Sequence, residues 1–110
     1  MNPTKAEKLW WDRLASVIGC IVCKNDRCEY NDQVSIHHID GRTKKGCHMN
    51  VLPLCHPHHQ GHLGLHHMGR KKWEGLYTSQ ENLRQECEAI LNKKEVFDEG
   101  EAGTIRYHYE

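Results

Sequence analysis

The chain has 110 residues, of which 37% are hydrophobic and 7% aromatic, and its mean hydropathy is −0.82. A domain of this size buries only about 60–70% of its unfolded surface, which excludes a large self-sufficient core and calls for a staple. Net charge is zero, yet residues 1–72 carry 11 Lys/Arg and 6 Asp/Glu, net +5, against 4 and 9, net −5, in residues 73–110; the basic part suits a polyanionic partner, and also an ordinary solvated surface.

In chain order, residues 4–18 are predicted as a helix. Thr4 and Glu7 have capping-box spacing, and Leu9, Trp10, Leu14, Val17 and Ile18 recur with a helical period. Gly19 ends it. Residues 20–33 are predicted as a polar loop opened by Cys20-x-x-Cys23. Residues 34–39 alternate apolar and polar, as a short strand does, and Asp40 and Gly41 start a turn into an exposed loop with Arg42, Lys44 and Lys45. Residues 51–54 read as a second strand, with Pro53 marking an edge, and 55–59 as a helical turn with Pro57 near its start. Residues 71–77 are predicted as a short helix interrupted by Gly75. Thr78 and Glu81 have capping-box spacing ahead of a helix to Asn92, whose apolar stripe is Leu83, Cys87, Ile90 and Leu91. Trp10 and Trp73 fall on apolar helix faces and are expected in the core. In the acidic tail, Ile105, Tyr107 and Tyr109 alternate as in a strand, while the composition fits a disordered tail. No internal repeat is present.

The candidate staple is metal. Of 10 His, nine lie between His37 and His67, and of 6 Cys, five lie between Cys20 and Cys55. The sequence has no signal-peptide pattern and no membrane-length apolar run, so a cytoplasmic chain without membrane contact is expected, with reduced thiols. Cys20-x-x-Cys23 and Cys55-x-x-His58 supply four N/S ligands for a structural Zn²⁺. A two-Cys, two-His finger fails, because His37 and His38 are adjacent on a strand and point to opposite faces. That adjacency suits another division of labour, in which one His faces a metal and the other a substrate. Phosphodiester hydrolysis needs both a cation and a base. His59 can approach such a metal, with His62, His66 or His67 as a further ligand. His48, His56 and His108 are read as surface residues, Cys87 as a small core residue, and Cys28 and Cys47 have no paired spacing.

The run Ile36-His37-His38-Ile39, then Asn50, then Leu54-Cys55-x-x-His58-His59 resembles the HNH endonucleases. Over about residues 5–92 the chain is further similar to the phage and prophage Ref family of RecA-dependent nucleases. The matching stretches are 19–23, 37–42, 51–55, His58-His59, 67–74 and 79–83. The resemblance implies a small α+β domain with a ββα-metal core at about 34–67, inside a nuclease domain 1–95 followed by a tail 96–110. It implies His38 as general base and Asn50 as the residue pinning the loop between the strands, or in some HNH enzymes a metal ligand. His37, His59 and His67, with His66 as rival to His67, would hold a second divalent metal: Mg²⁺, Mn²⁺ or Zn²⁺. His58 stands where many HNH proteins have Cys. Arg42, Lys44, Lys45, Arg70, Lys71 and Lys72 would hold DNA phosphates, and a RecA filament would be a partner. Cleavage would leave 5′-phosphate and 3′-hydroxyl ends. The rival class is a non-catalytic, zinc-stapled DNA-binding or adaptor module, which needs no base at His38.

Overall fold

Thr4 opens the first helix, α1 (Lys5–Arg13), with the expected reciprocal cap: its hydroxyl accepts from the Glu7 N–H at 3.1 Å and its own N–H donates to Glu7 Oε1 at 2.7 Å. The computed structural model describes residues 2–94, so the expected features of the tail, Ile105, Tyr107, Tyr109 and His108 among them, lie outside the described residues. The helix continues as a π-helical turn, Leu14–Ile18, and the Gly19 N–H closes it onto the Leu14 carbonyl at 3.0 Å. The buried face is Trp11, Leu14, Ala15 and Ile18. The predicted stripe was one residue out of phase at its start: Leu9 is 44% exposed and Trp10 only partly covered. Trp11 fits the i, i+3, i+4, i+7 face that Trp10 does not. Gly19 is required, since a Cβ there would stand 2.5 Å from the Asn31 carbonyl oxygen, which accepts from Cys20 N–H.

Residues 21–27 form a helix, α2 (Ile21–Arg27), where a loop was predicted. The polar run Lys24–Arg27 hid it, but Ile21, Val22 and Cys23 are buried, and the Cys20 side chain caps its first turn. Strands β1 (Val34–His38) and β2 (Val51–Cys55) pair antiparallel, His38 opposite Val51 and Val34 opposite Cys55. Pro53 is tolerated because a two-stranded sheet has only edge strands.

Cys55 leads directly into α3 (His56–His59). After a tight turn come α4 (Leu65–Met68), α5 (Arg70–Tyr77) and α6 (Gln80–Lys94). α5 runs unbroken through Gly75. The cap of α6 sits one residue later than predicted: Ser79 Oγ accepts the Asn82 N–H at 3.0 Å, and Thr78 Oγ1 takes only the Asn82 side chain, at 3.1 Å. Trp11, Trp73, Leu52, Leu54, Leu83, Cys87 and Leu91 join one core between the helices and β2. None of the described helices is long and apolar enough to cross a membrane. The result is a small α+β domain.

Candidate metal centres and active site

The first cluster brings together Cys20, Cys23, Cys55 and His58, all four buried. His58 Nδ1 lies 3.7, 3.6 and 3.1 Å from the sulfurs of Cys20, Cys23 and Cys55, and the Cys23 and Cys55 sulfurs are 3.7 Å apart. Ligands held tetrahedrally at zinc–sulfur and zinc–nitrogen bond lengths stand about 3.3–3.8 Å from one another, so these residues could hold one zinc ion. Nearby donors steady the sulfurs: Cys23 N–H on Cys20 at 3.5 Å and Asn31 Nδ2–H on Cys23 at 3.8 Å. Trp73 Nε1–H fixes the His58 carbonyl at 3.1 Å. The hydrogen bond with Cys55, together with burial, pushes the Cys20 thiol far up, and the same bond pulls Cys55 down. A divalent cation would override the rise at Cys20 and reinforce the fall at Cys55, since it stabilises thiolates.

The second cluster is His37, His59 and His66, with ring nitrogens within 4.8 Å of one another. His59 Nε2 and His66 Nε2 are 3.1 Å apart. The other nitrogen of His59, Nδ1, lies 2.8 Å from Ser35 Oγ; a proton held there would leave Nε2 as an acceptor. His37 Nε2 is 2.7 Å from the Oε1 of Gln80, a side chain only 2% exposed, whose backbone N–H donates to Glu74. Burial lowers both His37 and His59 to about 4, so both rings are neutral at neutral pH, as metal ligands must be. His66 is exposed and leaves the cluster open on one side.

The expected third ligand, His67, is elsewhere. It packs beside His62, ring centres 5.5 Å apart, in a separate groove with Met68, Lys72 and Leu76. The one-residue step is about 100° around a helix. With Leu65 turned into the core, that step takes His66 to His59 and His67 away from it. Gly64 permits the approach, because a Cβ there would meet the His59 carbonyl oxygen at 2.7 Å.

A cleft of about 230 Å³ lies over the second cluster, lined by His37, His38, Gly41, Arg42, His59 and His66 among others. His38 is buried rather than facing open solvent. Its Nε2 is 2.9 Å from His48 Nδ1, and its Nδ1 is buried without a hydrogen-bond partner among the described residues. Burial, then the charges of Arg42 and His48, lower His38 to about 4, against a backbone contact with Ile36 that favours the charged ring. Asn50 ties the two ends of the 40–50 loop: its side chain donates to Asp40 Oδ2 at 2.9 Å and its carbonyl accepts the Ile39 N–H at 3.0 Å. Arg42, Lys44, Lys45, Arg70, Lys71 and Lys72 are all exposed. Arg42 lines the cleft, and the charge of Arg70 reaches His37. Lys72 borders the His62–His67 groove instead.

A family model described as "Recombination enhancement, RecA-dependent nuclease" matches residues 3–92. The chain belongs to this family. It is therefore a nuclease whose work involves DNA and is linked to RecA, and both clusters fall inside the matched span.

Sequence reasoning missed Gln80, Ser35 and His48. Ser35 has no motif spacing that would mark it, and Gln80, although inside the matching stretch 79–83, has no ligand or catalytic spacing of its own. His48 was read as surface but is 6% exposed. Its signal was its place two residues before Asn50, in a loop that must return to β1. Cys28 is exposed and Cys47 buried, and among the described residues neither joins a group able to hold a metal.

Proposed function

We propose that the chain is a metal-dependent DNA endonuclease of HNH type, with the cleft over His37, His59 and His66 as its active site. The observation that carries this reading is a cleft lined by His38 beside three clustered imidazoles and Arg42, with the His38 Nδ1 buried and without a hydrogen-bond partner among the described residues. An orphaned buried acceptor is costly unless something in the cleft uses it. A water bound for attack on phosphorus is such a partner, and a neutral imidazole can take its proton.

His37, His59 and His66 would hold a divalent ion, Mg²⁺, Mn²⁺ or Zn²⁺, which when bound supplies charge for the developing phosphorane and the leaving oxygen. His38 positions the water and accepts its proton at Nδ1. Arg42, with Lys44 and Lys45 beyond it and Arg70–Lys72 flanking, holds backbone phosphates without reading sequence. Asn50 keeps the loop shut beneath β1, and its own side chain goes to Asp40. Cys20, Cys23, Cys55 and His58 hold the structural zinc that staples the domain, in a setting, such as the cytoplasm, where thiols stay reduced.

His38→Ala is expected to cut phosphodiester cleavage by ~10²–10⁴-fold, the scale of a lost general base, while zinc content and DNA affinity stay at wild-type values. His37→Ala and His59→Ala are expected to abolish cleavage together with one bound metal per chain. The measurements are nicking of plasmid DNA with and without a RecA filament, ATP and divalent ion, and metal analysis of each protein. Full activity in His38→Ala would sink the mechanism. Wild-type DNA binding with no cleavage under any condition would favour the adaptor reading.

A further inference from the structure

Asn50 is the loop residue that the HNH resemblance would make responsible for the base, yet its side chain reaches Asp40 and not the His38 ring. The side chain that does reach the ring is His48. Its Nδ1 is 2.9 Å from His38 Nε2, and the two rings meet edge to face with centres 5.0 Å apart and an 88° interplanar angle. Both rings are buried, at 8% and 6% exposure. Trp11 closes the group from α1. Its ring is edge-on to His38 at 5.5 Å and to His48 at 5.7 Å, and its Nε1–H donates to the His48 carbonyl at 2.7 Å. Three successive turn bonds, Cys47 N–H to Lys44 O, Met49 N–H to Gly46 O and Asn50 N–H to Cys47 O, fold the loop so that His48 points back at β1.

We infer that His48 is a positioning residue for His38: it accepts the His38 Nε2–H and so fixes the ring plane and the tautomer that leaves the lone pair on Nδ1. This rests on the nuclease reading above. The chemistry follows from the two-sided nature of imidazole. A neutral ring has one N–H and one lone pair, and the partner of one nitrogen decides what the other can do. With Nε2–H given to His48 Nδ1, the lone pair of His38 sits on Nδ1, a buried atom without a hydrogen-bond partner among the described residues. Were the tautomer reversed, Nδ1 would carry the proton and could not accept one from water. As the base charges, Nε2–H becomes a stronger donor to an acceptor already in place, so the contact is worth more in the transition state than in the ground state. Trp11 serves His48 in the same way, holding the loop backbone where the acceptor must be.

The test compares His48→Ala with His48→Asn, whose side-chain oxygen can occupy the place of Nδ1 and accept the same hydrogen bond. His48→Ala is expected to lower kcat by about 10–100-fold, the scale of losing an orienting partner, with KM and metal content at wild-type values. His48→Asn should recover most of that loss. The second readout is independent of activity: long-range proton–nitrogen NMR of His38 should show a single Nε2–H tautomer in the wild type and in His48→Asn, and a mixture in His48→Ala. Should His48→Ala fail to fold, the Asn variant and the wild-type tautomer still decide the matter: an Nδ1–H tautomer in the wild type overturns the inference. So does a wild-type kcat in His48→Ala. If His38→Ala is inactive while His48→Ala is fully active, only the positioning role falls. If His38→Ala keeps full activity, the underlying nuclease mechanism falls with it.

Discussion

His58 and His59 are neighbours on α3, yet they serve two clusters of opposite character. His58 completes a closed set with three sulfurs, every member buried. His59 joins an all-imidazole set in which His66 is exposed and a cleft lies above. The difference follows from ligand chemistry. Thiolates bind zinc tightly and leave no open position, so the first set suits an ion that is part of the fold. Three imidazole ligands leave positions open for water and substrate, so the second suits an ion that takes part in chemistry. Local charge follows the same division. Arg27 and Asp26 act on His58 with opposite signs, whereas Arg42 and Arg70, both cationic, act on His38 and His37.

The largest expected effect comes from breaking the closed set. Cys55→Ser should unfold the domain, since Cys55 ends β2, starts α3 and faces both Cys23 and His58. Strong chelation should melt the wild type in the same way. Circular dichroism, thermal melting and zinc analysis on one preparation would show it. A Cys55→Ser protein with wild-type helix content and melting temperature would mean that the ion contributes nothing to folding.

His66→Ala should instead leave the fold intact, because the side chain it removes is exposed. One bound metal and most of the cleavage activity should be lost. The control is His67→Ala, one residue on and outside the cluster, which should keep both. If the two variants behaved the other way round, the ion would bind at the His62–His67 groove, and the geometry of α4 would have misled.

How much of this contrast was legible in the sequence depended on the range of the interaction. The Cys20–Cys23 and Cys55–His58 pairs are local spacings, and the structure closes them into one set. That one of His37 and His38 faces a metal was legible from strand alternation, and His59 from its place beside His58; the choice of His37 came from the HNH resemblance. His66 against His67 turns on the phase of a four-residue helix, α4, which is too short to carry a periodic signal and is set by Leu65 entering the core. Gln80 and His48 meet their partners across 43 and 10 residues, through tertiary contacts that no spacing records. The helix α2 was missed for a related reason: its polar residues suggest a loop, and only packing of Ile21 and Val22 makes it a helix. Trp11 was lost to Trp10 because both lie on an apolar stretch, and the π-helical turn after α1 blurs the period that would separate them.

The smallest effect should come from the charges that surround the open set. Arg42, Lys44 and Lys45 are exposed on the loop between β1 and β2, and Arg42 lines the cleft. Arg70 is paired with Glu74 at 3.4 Å, so part of its charge is already answered within the protein. The loop places three exposed cations together, one of them lining the cleft, and is expected to contribute more to phosphate binding than Arg70 alone does. Replacing all three with Ala should weaken DNA binding and flatten the plot of log affinity against log salt by up to about three units, since each lost phosphate contact removes about 0.9 from the slope. Melting temperature and both metals should be unchanged, because none of the three side chains is buried. Binding measured by fluorescence anisotropy across a salt series would give the slope directly. The same series on Lys71→Ala with Lys72→Ala separates the two basic segments. A loop variant with the wild-type slope, and an α5 variant with a flattened one, would move the DNA track from the cleft rim to the far side of α4, and with it the case for the open cluster as the site of cleavage.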